Sequence, residues 1–275
     1  MMDWLLPFTF PFMRDAALIG LMISVPAGLL SCFLVLRGWS LMGDAVSHAI
    51  LPGVVLAYIL QLPLILGAFV AGLGSALMAG WLQDNSRVKR DTVLGVVMSG
   101  MFGLGVVLYT AIPSDLHLDH ILFGNMLGIG PEDMRLAAMI SGVVGLVLVL
   151  KWKDFALAAF DPVQARVAGL AVGWLHYGLL AMISATVVAM LSSVGIILAV
   201  AMLIAPGAVA FLVTRRLAAM LVTAVIVAAF ATTVGVWGSF WLDSAPAPTV
   251  VLVLTGLFVL AFTWRNLAQR RASAA

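Results

Sequence analysis

Charges fall along this chain in widely spaced clusters, and the stretches between them are almost wholly apolar. Ala16–Leu36 carries no charge, and Ala49–Gln83 is a longer run interrupted by Pro52 and Pro63. Thr92–Ser114 follows, then a shorter run, Leu136–Leu150, whose polar flanks must complete it. Val167–Thr214 is far too long for one crossing, and the polar pair Ser192-Ser193 divides it into two helices. Leu217–Leu242 and Ser244–Trp264 close the series. A helix needs about 20 apolar residues to cross a bilayer, so these runs predict an all-α integral membrane protein. We expect a polytopic bundle of about eight or nine transmembrane helices. The count turns on whether residues 38–60 cross fully or enter and return on one side.

The aromatic-rich residues 1–15 are expected to lie at the membrane interface, where such side chains collect. They do not read as a cleaved signal peptide, because the run that follows is long enough to span and lacks a small-residue cleavage site. No hydrophilic stretch is long enough for a soluble domain. Residues 1–275 therefore read as a single transmembrane domain, with 265–275 as a tail.

Composition sharpens the class. The chain is 64% hydrophobic and only 9% charged, with mean hydropathy +1.18. Soluble domains carry roughly 25% charged residues, so this chain lives in lipid. Its formal net charge is +2, which suits basic cytoplasmic loops rather than nucleic acid. Arg87, Lys89 and Arg90 form one basic group, and Lys151, Lys153 and Arg166 another. Arg215-Arg216 form the third, and Arg265, Arg270 and Arg271 the fourth. Alternating crossings put all four on one side, cytoplasmic by the positive-inside rule. Asp115, His117, Asp119, His120, Glu132, Asp133 and Asp243 fall on the other side, which is therefore acidic.

Among 26 glycines, Gly124-x-x-x-Gly128 and Gly169-x-x-x-Gly173 have the spacing of close helix packing in lipid. The single cysteine, Cys32, has no internal partner for a disulfide, and the 15 methionines are too scattered for a soft-metal path.

The chemistry concentrates in Arg37–Gly53, where Arg37, Asp44 and His48 sit between long apolar runs. An ionised side chain at bilayer depth costs roughly 2.5–3.5 kcal/mol on insertion scales, so such groups are rare and usually functional. Four residues apart, Asp44 and His48 share a helix face and can reach one ion. A carboxylate oxygen with an imidazole nitrogen suits manganese, ferrous iron or zinc, and the lack of a nearby thiolate disfavours copper(I). The competing reading pairs Asp44 with Arg37 and lets His48 bond a backbone carbonyl. Arg37 itself reads as a gate, or equally as an arginine snorkelling from a helix end. His117, Asp119 and His120 suggest metal capture at an outer mouth, though docking of a partner through a solvated loop fits them better. His176, alone in an apolar run, reads as a hydrogen-bonded packing histidine. There is no G-x-x-x-x-G-K-[ST] phosphate loop, no H-E-x-x-H and no G-x-S-x-G, so ATP hydrolysis and common hydrolase chemistry are not expected of this chain. An intramembrane metalloenzyme would need a third ligand and a base.

Arg37–Gly53 closely resembles the signature segment of permease subunits from bacterial ABC importers for manganese, zinc and iron. The likeness continues through Asp84–Thr92 with Gly95 and Ser99-Gly100-Met101-Phe102, through Phe160-Asp161-Pro162 with Ala165 and Gly169, and through Gly195–Leu212 with Ala205-Pro206-Gly207. Leu118–Gly128 is most similar to the manganese and chelated-iron branch. Ser244-Ala245-Pro246-Ala247-Pro248 departs from the family's usual Ser-Gly-Pro-like turn.

The resemblance implies Asp44 and His48 as transient ligands of a transported divalent metal, with no permanently bound cofactor. It implies a second permease subunit, identical or a paralogue, and a cytoplasmic pair of ATP-binding subunits. That pair would meet Asp161, Pro162, Ala165, Arg166 and Gly169. An extracytoplasmic metal-binding protein would deliver the ion, and no nucleic acid is involved. The location implied is the bacterial plasma membrane, with a cytoplasmic C-terminus. Manganese or iron is the expected cargo and zinc the alternative.

Overall fold

The computed structural model describes residue 4, residues 6–111, residue 124 and residues 126–274. Among them, the regular structure is entirely helical. A 3-10 turn, Leu6–Thr9, leads into α1 (Pro11–Arg37), followed by α2 (Met42–Ile59), α3 (Leu64–Asn85) and α4 (Arg90–Ala111). Next come α5 (Pro131–Phe160), the short α6 (Pro162–Val167), α7 (Val172–Val213), α8 (Leu217–Trp241) and α9 (Pro246–Ala274). With α7 divided, 9 helical stretches among the described residues are long and apolar enough to cross a membrane. Helices satisfy their own backbone groups, which is what lipid demands of any spanning segment.

Prolines account for several starts: Pro11, Pro131 and Pro162 stand in the first turns of α1, α5 and α6, where a missing N–H costs nothing. Residues 42–59 form one continuous helix rather than a dip and return, with Pro52 inside it and Pro63 marking the real break. α1 begins before its uncharged run does, so Arg14 and Asp15 are already helical. α5 likewise outruns Leu136–Leu150 at both ends, and a Lys151–Asp154 ion pair of 3.1 Å ties its last turns.

The long run doubles back at Gly195, whose backbone angles (φ 78, ψ 173) are open to glycine and poor for other residues. Two contacts fix the reversal. His176, early in α7, reaches Arg37 at the end of α1, while Phe211, late in α7, lines a groove with Leu36, also at the end of α1. Gly195 lies against Gly124 at the far end. The same groove gathers Phe160, Arg215, Arg216 and Arg265, so this end of the bundle is basic. Arg265 donates to the carbonyls of Phe211 and Leu212 there, satisfying orphan acceptors at the end of α7. The opposite end carries aromatic pairs, Trp4 on Trp237 and Phe10 on Phe240.

α1 and α2 form the buried centre. α1 packs mainly on α7, α8 and α5, and α2 on α3 and α4. The closest approach is between Gly53 of α2 and Gly67 of α3, where a Cβ on either would run into the other's carbonyl. Small residues let backbones touch where no water is present to drive association. The expected pair Gly169 and Gly173 has no such role: a Cβ at either would meet nothing.

Candidate functional site

α2 presents Asp44 in its first turn and His48 one turn later. Asp44 Oδ1 lies 3.4 Å from His48 Nε2, and both side chains are 28% exposed. Asp44 follows the N-cap Leu41 by three residues, and its contact among the described residues is with His48, where the positive end of the helix dipole favours a negative group. Phe102 of α4 holds the imidazole edge-on at 5.2 Å between ring centres. His48 Nδ1 is buried without a hydrogen-bond partner among the described residues.

Depth follows from the neighbours. Gly43 sits against Leu203, midway along the second half of α7, and Val46 and Ile50 flank Gly72 of α3. Ser184, near the middle of the first half of α7, closes on the same glycine. Leu51 meets Gly105 of α4. The Asp44–His48 pair is thus about halfway along the bundle, at the edge shared by α2 and α4.

Arg37 is directed elsewhere. Its Nη1 is 3.4 Å from His176 Nδ1, and its guanidinium lies over the Trp39 ring, 4.9 Å from the centroid. His176 also meets the Trp39 ring edge-on, with centroids 5.3 Å apart. The partner that sequence reasoning allowed Arg37, Asp44, is instead paired with His48. His176 is hydrogen-bonded and packed as expected, and its partner is an arginine 139 residues away in the chain. No local pattern could have signalled it.

Asp161–Gly169, the segment expected to meet an ATPase, forms a separate feature at the basic end. Asp161 caps α6, its Oδ1 accepting from the backbone N–H groups of Val163 (3.1 Å) and Gln164 (2.9 Å). Ala165 is buried, whereas Asp161, Pro162, Arg166 and Gly169 are exposed. Gly169 ends the segment with φ +79. His117, Asp119 and His120 lie outside the described residues.

Chemically, the α2 pair offers one oxygen and one nitrogen to a cation. No group of three or more His, Cys, Asp or Glu side chains able to hold a metal occurs among the described residues. Two donors from one helix make an open site, unlike the closed four-ligand cage of a structural metal.

The sequence pattern of the ABC 3 transport family matches residues 9–265. The chain belongs to that family. Family relatives carry the likeness along almost the whole length. The chelated iron transport system membrane protein YfeD of Yersinia pestis is 50% identical over 261 residues, covering 95% of this chain and 88% of that protein. The manganese transport system membrane protein MntB of Synechocystis is 40% identical over 259 residues, covering 94% and 85%. Among solved structures, PsaBC from Streptococcus pneumoniae in complex with Fab superposes with a TM-score of 0.83 at 35% identity. That match covers 95% of this chain and 94% of the other.

Proposed function

We propose that this chain is the membrane permease of an ATP-driven importer that moves manganese or ferrous iron into the bacterial cytoplasm, with Asp44 and His48 as the transient ligands. The observation that carries this reading is the pair itself: an acid and an imidazole 3.4 Å apart, about halfway along an apolar bundle. A transport site must capture its ion and then let it go. Two protein donors, with the remaining positions left to water or to a partner, suit that better than a full cage. The relatives are iron and manganese systems, which favours those cargoes over zinc.

The partners follow from what this chain lacks. It has no nucleotide-binding motif, so hydrolysis belongs to a separate pair of ATPase subunits, docked on Asp161–Gly169. A second permease, identical or a paralogue, would cover the α2–α4 edge. Without such a cover the partly exposed Asp44 would face lipid at a cost of roughly 2.5–3.5 kcal/mol. An extracytoplasmic protein delivers the ion. In the plasma membrane, the basic end and the C-terminus face the cytoplasm by the positive-inside rule.

Uptake of radioactive manganese into proteoliposomes holding the assembled importer, with iron and zinc as competitors, tests the reading. Losing an outer partner of a metal ligand already costs about 10–100-fold in affinity, so Asp44→Ala and His48→Ala should each cost about 100-fold or more in uptake. Normal uptake by both variants, assembled with their ATPase, would remove the site assignment.

A further inference from the structure

We infer that His176, together with Arg37 and Trp39, is a positioning cluster that carries movement of the ATPase-docking segment to the Asp44–His48 pair. This rests on the proposed function and adds the route by which the docking segment and the ion site communicate.

The route is a continuous set of short contacts. α6 is joined to α7 by a linker that stays bonded to it: Gly169 N–H donates to the Arg166 carbonyl at 3.0 Å and Leu170 N–H to that of Ala165 at 2.9 Å. Val172 N–H, at the start of α7, donates back to the Leu170 carbonyl at 2.9 Å. A displacement of α6 therefore moves the first turns of α7, and His176 sits in those turns. Its ring meets Arg37 and Trp39 at the distances given above.

Trp39 is the wedge of the corner between α1 and α2. Only 5% of it is exposed, its backbone N–H donates to the Leu34 carbonyl at 2.8 Å, and its backbone carbonyl accepts from Met42 N–H at 2.9 Å. Met42 opens α2, and Asp44 stands in that first turn. Pressure on Trp39 is thus passed to the backbone that holds the carboxylate, along packed groups and a rigid helix end. His176 also lines an open groove of about 680 Å³ with Gly80, Trp81, Trp174 and Tyr177. Trimming it enlarges that groove and seals no void, so the fold should survive the substitution.

The test compares ions moved per ATP hydrolysed with manganese affinity, both measured on the assembled importer. His176→Ala should assemble and bind manganese as the wild type does, yet move about tenfold fewer ions per ATP, a usual size for coupling between two sites. His176→Gln, whose side-chain oxygen can still accept from Arg37, should restore most of the yield. A wild-type yield in His176→Ala would overturn the inference. So would a loss of manganese affinity in step with the yield, since that marks a purely local role. A wild-type importer that moves no metal would overturn the reading beneath it as well, which keeps the two failures apart.

Discussion

Two of the aspartates at helix starts in this protein, Asp161 and Asp44, do opposite things. Asp161 caps the short, exposed α6 and gives its oxygen to two backbone N–H groups. Asp44 stands in the first turn of the long, buried α2, three residues after its N-cap Leu41, and turns to His48. Both gain from the helix dipole. Only the second holds its carboxylate against an imidazole, and it does so about halfway along the bundle, where an unused charge is costly. A carboxylate committed to N–H donors builds structure; one held back beside an imidazole can take an ion.

Substitution by asparagine separates the two roles, because asparagine caps a helix about as well as aspartate but carries no charge. The largest effect is expected at Asp44→Asn. Manganese uptake should fall at least about tenfold with normal amounts of assembled complex, the loss of a charged ligand outweighing any change in helix stability. Uptake within twofold of wild type would make the two aspartates equivalent and break the contrast. Asp161→Ala comes next. Removing the cap costs about 1 kcal/mol of local helix stability, which should show as weaker recovery of the ATPase in a pull-down, with manganese affinity untouched. Smallest is Asp161→Asn, where both pull-down and uptake should match the wild type. A strong defect there would mean that the charge of Asp161, and not its cap, serves the docking segment.

Much of this architecture was legible from run length alone. Apolar stretches of spanning length have little choice but to be helices in lipid, and the four-residue spacing of Asp44 and His48 already put them on one face. Other features depended on contacts that no local pattern encodes. The turn inside Val167–Thr214 was expected at Ser192-Ser193, the polar residues, but the backbone reverses at Gly195, where conformational freedom matters more than polarity. Regular glycine spacing pointed to Gly124 with Gly128 and to Gly169 with Gly173. Gly124 does lie against the Gly195 backbone, but a Cβ at Gly169 or Gly173 meets nothing, and a tight crossing falls instead at Gly53 and Gly67, on different helices. Arg37 shows the same limit. Sequence neighbours offered it Asp44, and the fold brought His176 instead.

The central claim is that the His48 imidazole binds the travelling ion. Pulsed electron paramagnetic resonance on the assembled importer, loaded with manganese and free of the delivering protein, reads nitrogen coupled to the metal directly. The account predicts a histidine nitrogen signal that disappears in His48→Ala. The same signal persisting in that variant would contradict it.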